Sequence, residues 1–349
     1  MMFKSFTPPY RDQKRKKIAS SIAVLEKIPL GGISQSVLIR SRDTKHPLLL
    51  FIHGGPGHAQ IGFARHYQEE LEKHFIVVNW DQRGSGKSYS KRLDPASLTI
   101  EQLVADAHEL IIYLLKRFGQ KKLFLAGHSW GSIVAALVAK QYPELIHAYI
   151  GIGQMTDVEH GEMISYQMVL IYARQNEKFF AVRALNRIGY PPYRRIRDLL
   201  VQRKWLSKFG GDVRKGSLFS FLRRGLFSRE YTLADWWRFF QGTRFTMKHL
   251  GPKIMQMNLF NEISELKVPA YFCVGRYDYL SPFELQEKFC EQLKAPKKDL
   301  IWFENSAHCP HFEEPSSFLV VLLRIKEETA ILKRQTLSHT LNLKGALLQ

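Results

Sequence analysis

One short segment constrains this chain most. The apolar run LFLA (123–126) leads into Gly127-His128-Ser129-Trp130-Gly131, and the apolar helical pattern SIVAALVAKQY follows at once and stops before Pro143. That is a G-x-S-x-G sequence set between a strand and a helix. A serine on so sharp a turn sits in strained backbone, and its neighbours must be small. Glycines two before and two after relieve the crowding. The helix start then directs N–H groups and the positive end of its dipole at the reacting centre. Ser129 is therefore the expected nucleophile. The plainer alternative is a glycine-flanked serine in an ordinary strand-to-helix turn, and the strand and helix on either side weigh against it.

The rest of the chain is organised around such units. Residues 20–40 alternate in polarity and break at Gly31-Gly32, which predicts an antiparallel hairpin. Short apolar runs at 48–55, 75–84, 123–129, 148–154, 270–275 and 300–305 suit central strands buried on both faces. Helical patterns lie between them at 99–119, 132–143, 283–293 and 316–334, the first opened by Thr99 as N-cap and closed by Gly119. The alternation predicts the α/β class, with a doubly wound, mostly parallel sheet and an antiparallel start. Residues 157–265 break this rhythm with aromatic and basic helical patterns, and are read as a helical cap inserted after the sixth strand. The expected divisions are a basic N-terminal arm (1–19), a core (20–156 and 266–335), the cap (157–265) and a C-terminal tail (336–349). A length of 349 residues suits one large domain with such an insert.

Further motifs fall at the ends of the apolar runs. His53-Gly54-Gly55-Pro56-Gly57 follows LLLFI. Acyl transfer through a tetrahedral oxyanion needs two backbone donors, one from the residue after the serine, here Trp130, and one from an upstream loop, here Gly55. His53 is read as orienting that loop. Asp81-Gln82-Arg83-Gly84-Ser85-Gly86-Lys87-Ser88 lacks the glycine spacing of a phosphate-binding loop, so Asp81 and Arg83 are expected to brace the site. The acid should follow a late strand: Asp278 fits, with Asp157 the runner-up. The base should follow the last strand: His308 fits, with His311 the runner-up. The order Ser, Asp, His is the one expected for such a sheet.

Together HGGPG (53–57), DQRGSGKS (81–88), GHSWG (127–131), GRYDYLSP (275–282) and SAH (306–308) resemble the proline iminopeptidase branch of the α/β-hydrolase superfamily, in order and spacing over residues 20–330. The resemblance implies a catalytic triad of Ser129, Asp278 and His308, an oxyanion hole at Gly55 and Trp130, and release of N-terminal proline or a small apolar residue. In aminopeptidases of that branch, cap carboxylates hold the substrate ammonium. Glu162 and Glu230 are the expected counterparts, with Glu159 and Glu177 also available. The chain departs from the branch in a basic stretch at 194–229, where eleven Lys and Arg from Arg194 onward face only Asp198 and Asp212. A carboxylesterase acting on small esters therefore stands as the alternative. A non-catalytic ligand-binding protein of the same fold is a third reading, and the intact motifs weigh against it.

Composition limits the partners. Acyl transfer by serine calls for no metal and no organic cofactor. Cys273, Cys290 and Cys309 have no CxxC spacing and are too few for a disulfide framework, which fits a reducing cytoplasm. The N-terminus is basic without a following apolar run, and is read as a loose arm and not a signal peptide. No run approaches the roughly 18 apolar residues of a membrane span, so no integral membrane partner is expected. The net charge is +19, but no nucleic-acid-binding signature accompanies it, and the basic surface is read as solvated. The expected partner is a small-molecule or short-peptide substrate.

Overall fold

The computed structural model describes residues 4–193, 195–215 and 218–346, with side chains through Leu332 apart from 218 and 219. Arg194 and the last three residues of the expected tail lie outside the described residues. One eight-stranded sheet runs in the order β1-β2-β4-β3-β5-β6-β7-β8. β1 (Ile22–Leu30) and β2 (Ile33–Ser41) form the antiparallel start. β3 (Leu48–Ile52), β4 (Ile76–Asp81), β5 (Leu123–His128), β6 (Ile146–Ile152), β7 (Ala270–Gly275) and β8 (Lys298–Phe303) pair in parallel.

Alternation within β3 shows why its run is uniformly apolar. Leu48, Leu50 and Ile52 face one layer of helices, and Leu49 and Phe51 face the other. Both faces are covered, so neither can be polar. α1 (Ile61–Gln68), α2 (Ile100–Phe118) and α3 (Trp130–Gln141) come first. Thr99 Oγ1 accepts from Gln102 N at 3.0 Å, and Gly119 ends α2 at φ 64°, as read from sequence. Between β6 and β7 lie α4 (Val158–Gln175), α5 (Phe179–Ile188), α6 (Ile196–Lys208), α7 (Leu218–Gly225), α8 (Leu233–Met255) and α9 (Leu259–Glu262). α10 (Phe283–Gln292), α11 (Pro310–Glu313) and α12 (Pro315–Ala346) complete the chain. α12 carries on through the segment expected to be a tail, and its Phe318, Leu322 and Ile325 cover the second face of the sheet.

The inserted helices are anchored at two places. α4, α5 and α6 share a small core of their own, including Tyr166, Leu170, Leu185 and Leu206. α8, opened by a capping box between Thr232 and Asp235, lies across two loops at the strand ends. A Cβ on Gly57 would stand 2.1 Å from Thr246 Oγ1, and one on Gly242 would stand 2.6 Å from the Gly84 carbonyl. Glycine at these crossings lets the helix backbone settle onto the loops.

From Lys4 onward the N-terminal arm is not loose, and residues 1–3 lie outside the described residues. Phe6 N donates to Arg229 O at 2.9 Å, and Thr7 Oγ1 donates to Glu230 Oε1 at 2.8 Å while accepting from Arg40 Nη1. Lys87 Nζ donates to Ser5 Oγ at 2.6 Å. The arm's partners are buried charges contributed from far along the chain, and charge composition alone carries no trace of them.

Candidate active site

Ser129 occupies the turn from β5 into α3 at φ 54°, ψ −125°. For a residue with a Cβ, such backbone costs about 1–3 kcal/mol and persists only where the surroundings enforce it. Here they do. Ser129 N donates to Ile152 O at 2.9 Å. A Cβ on Gly127 would meet Gly131 O at 2.4 Å, and one on Gly131 would meet Ile52 O at 2.1 Å. Both flanking glycines are thus required by close backbone approach. Gly54 lies against the turn as well, its missing Cβ 3.0 Å from Ser129 Cβ, and Gly55 follows at φ 123°.

His308 and Asp278 meet beside this turn. His308 Nδ1 stands 3.1 and 3.0 Å from the two oxygens of Asp278. A carboxylate only accepts, so Nδ1 carries the proton and Nε2 presents its lone pair. Nε2 is buried and has no hydrogen-bond partner among the described residues, Ser129 Oγ included. The serine hydroxyl instead faces Met155 Sδ at 3.8 Å. Asp278 is fully buried and accepts from three further donors: Leu280 N at 3.1 Å, Ser281 N at 2.9 Å and Gln286 Nε2 at 3.0 Å. The imidazole fits against the end of β6 because residue 153 is glycine; a Cβ there would stand 2.8 Å from Nδ1.

Surrounding polar residues hold the loops. His53 Nδ1 donates to Gly54 O at 2.9 Å and its Nε2 accepts from Gln82 N at 3.2 Å, so His53 joins the two glycine-rich loops. Burial pushes its pKa down to about 4. Arg83 makes a two-pronged pair with Asp106 at 2.8 and 3.0 Å and also donates to Gly31 O. Asp81 accepts from Tyr231 OH and from Lys87 N, and burial pushes its carboxyl up to about 7. Lys87 in turn pairs with Asp235 of α8 at 2.7 Å. The DQRGSGKS segment is thus a brace between sheet and insert.

A strained serine between sheet and helix, a buried Asp–His pair after β7 and β8, and an eight-stranded, mostly parallel sheet together define one architecture. The sequence matches the alpha/beta hydrolase fold family over residues 47–315, most of the chain. The chain belongs to the α/β-hydrolase fold family. It is 41% identical over 307 residues to a probable aminopeptidase, YbaC, of Bacillus subtilis, covering 87% of this chain and 96% of that protein. A proline iminopeptidase of Heyndrickxia coagulans is 22% identical over 292 residues, covering 78% of this chain and 88% of the relative. The crystal structure of proline iminopeptidase from Mycobacterium smegmatis superposes with a TM-score of 0.64 at 16% identity, over 88% of this chain and 99% of the other. The protein is a proline iminopeptidase-like α/β hydrolase, and a hydrolase by its relatives.

The α/β hydrolase places the runners-up elsewhere. Asp157 caps α4, accepting from His160 N and from Asn258 Nδ2. His311 is buried beside His128 and Phe312, and neither ring nitrogen has a hydrogen-bond partner among the described residues. The two glutamates named from sequence lie apart. Glu162 is ion-paired with Arg203, keeps one buried oxygen without a partner among the described residues, and lines a small cavity together with Met155, the residue facing Ser129. Glu230 is fully buried, pairs with Arg65 at 2.8 Å and Thr7, and borders a separate cavity between α1 and α7.

Several positioning residues escaped sequence reading. Gln286 joins Asp278 to the end of β6, since its Oε1 accepts from Gln154 N at 2.9 Å. His128 Nε2 donates to His308 O at 2.9 Å, and burial holds its ring neutral. From the insert, Gly211 O accepts from Tyr279 N at 3.0 Å and Asp212 O accepts from His308 N at 3.0 Å. The insert contributes backbone atoms and Gln286 is an amide on a helix, neither of which leaves a motif, while His128 occupies the unspecified position of its own motif.

Proposed function

We propose that this α/β hydrolase is a serine aminopeptidase that releases N-terminal proline or a small apolar residue, with the inserted helices as a cap over the site. The observation that carries the mechanism is the buried His308–Asp278 pair whose free Nε2 lies beside a strained serine. His308 takes the Ser129 proton as Oγ attacks the scissile carbonyl, and Asp278 fixes the tautomer and stabilises the imidazolium. The N–H groups of Gly55 and Trp130 hold the developing oxyanion, each such donor contributing about 100-fold or more in rate. His308 then gives its proton to the leaving amine, and water hydrolyses the acyl-enzyme with His308 again as base. The scheme does not require the Ser129 Oγ–Nε2 bond to be made in the free enzyme, because a hydroxyl turns about one bond and such contacts tighten when substrate binds. Ser129→Ala should abolish both hydrolysis of proline naphthylamide and labelling by a fluorophosphonate, with the fold intact; persistent labelling would exclude Ser129.

Each of the two glutamates keeps one unpartnered buried oxygen among the described residues, and Glu162 is favoured as the reader of the substrate ammonium because it shares a cavity with Met155, the residue facing Ser129. Glu230 is engaged by the N-terminal arm. Glu162→Gln should raise KM for proline naphthylamide well above its effect on a nitrophenyl ester that lacks an amine. The pairing of Glu162 with Arg203, which already neutralises much of its charge, supports a second reading as a carboxylesterase. Equal effects of the substitution on both substrates would select that reading.

A further inference from the structure

Helices α5 and α6 turn an unusual surface outward. Their inner residues Ala181, Leu185 and Leu206 are buried against Tyr166 and Leu170 of α4. On the outside, Phe179 and Phe180 are 77% and 83% exposed at the start of α5, and Ile196 and Leu200 are 60% and 61% exposed on α6. Arg183 and Arg187 on α5, and Arg197 and Lys204 on α6, are exposed among them. Residues 180, 183 and 187 recur at helical spacing and share a stripe, as do 197, 200 and 204. Residues 178–208 hold nine Lys and Arg against a single acid, Asp198, which Arg197 already approaches at 3.7 Å.

We propose that this outer face of α5 and α6 docks on the surface of a bilayer containing anionic phospholipid. Two features must be answered together, a dense positive field and protruding apolar side chains. A second copy of the chain would set like charges against each other. A nucleic acid would neutralise the arginines but leave Phe179, Phe180, Ile196 and Leu200 in water. An anionic lipid surface meets both, with phosphate headgroups against Arg and Lys and the apolar tips in the interfacial layer. Among the described residues no helix is long and apolar enough to cross a membrane, so the docking is peripheral. The surface belongs to the insert and is independent of the peptidase or esterase reading of Ser129.

The test is co-sedimentation of the full chain with unilamellar vesicles of phosphatidylcholine, alone or mixed with phosphatidylglycerol. Binding is expected only with the anionic mixture, and should weaken as salt rises. Arg183→Gln with Arg187→Gln should lower the partition coefficient about fivefold for each charge removed. Phe179→Ser with Phe180→Ser should lower it about tenfold or more by withdrawing apolar surface from the interface. A wild-type far-UV circular dichroism spectrum and thermal midpoint certify the fold of each variant, and if the Phe pair fails to fold, the Arg pair and the lipid comparison decide alone. Failure to bind anionic vesicles at low ionic strength overturns the proposal. So does wild-type binding by the well-folded Phe pair. Retention of a single-stranded RNA oligomer without vesicle binding overturns it in favour of a nucleic-acid face, and a dimer dispersed by the Phe pair without vesicle binding overturns it in favour of self-association.

Discussion

His308 and His311 are three residues apart, and both are 2% exposed. Their surroundings separate them. His308 has Asp278 on one nitrogen and an open second nitrogen facing the site, whereas His311 has aromatic neighbours and no hydrogen bond. Burial, aided by the nearby His308, pushes the pKa of His311 down to about 3. His308→Ala is expected to lower kcat/KM about 10,000-fold or more, while His311→Phe leaves catalysis near wild type; a reversed order would move the base to His311. The same substitution has a stability signature. As pH falls from about 6.5, the unfolded state takes up the His311 proton while the folded state does not, until about 3. Folding therefore loses about 1.4 kcal/mol per pH unit at this site within that window. Asp81, raised to about 7, works with the opposite sign, since its folded state protonates first. Urea unfolding of wild type and His311→Phe between pH 6 and 4 should show the wild type losing ground steadily; parallel curves would mean that His311 is not buried neutral. For the acid, Asp278→Asn should cost about 10,000-fold by disturbing the tautomer. Asp157→Asn should leave turnover unchanged and cost at most about 1 kcal/mol of capping. Position after a particular strand made these residues legible in the sequence, but what tells each pair apart comes from the Gln286 hydrogen bond, the space left by Gly153 and the backbone of the insert, none of which carries a pattern.

The β5–α3 turn shows what an element demands. A Cβ at Gly131 would lie 2.1 Å from the Ile52 carbonyl and 2.6 Å from that of His53, both backbone atoms of the neighbouring strand and its loop. Neither can move without displacing β3 or α3. Gly161, on α4, offers the contrast, since its added Cβ would meet only Pro282 Cδ at 3.5 Å and Leu285 Cδ1 at 3.7 Å. Gly131→Ala should lower stability by about 3 kcal/mol and slow fluorophosphonate labelling, whereas Gly161→Ala should be neutral or stabilise α4 by about 0.5–1 kcal/mol. Chemical denaturation of the two variants checks this, and similar midpoints would show that the turn is not as tight as its geometry. Such elements were readable because their signals are local. Thr99, Gly119 and the buried runs of β3, β4 and β5 each announce their role within a few residues. The full extent of α12 was not readable, because the polar run at 333–336 interrupts the apolar spacing that marks its first half.

At the scale of the molecule, the N-terminal arm ties the insert to the sheet. Thr7 stands between Arg40, which pairs with Glu72, and Glu230, which pairs with Arg65. Phe6 adds a backbone bond to Arg229, and the Ser5 hydroxyl accepts a side-chain bond from the Lys87 ammonium, which itself holds Asp235 at the start of α8. Arg40, Glu72 and Glu230 are almost wholly buried. Such charges are stable only while every partner stays in place, and removing one partner from a buried set is far costlier than the pair is worth. Deleting residues 2–9 removes Thr7 from both Arg40 and Glu230, together with the Pro8 carbonyl that also accepts from Arg40. The expected loss is about 2–4 kcal/mol, read as a lower thermal midpoint. It should be concentrated where the arm touches the insert, so limited proteolysis of the truncated chain should cut first near Arg224 and Arg229. Ser129 should still react with a fluorophosphonate, because among the described residues of that segment, 4–9, none bonds to the β5–α3 turn or to the His308–Asp278 pair. An unchanged midpoint with an equally resistant insert would mean that the arm is an appendage after all. Loss of labelling in a folded truncation would mean instead that the arm, through Lys87 and α8, helps to hold the site itself.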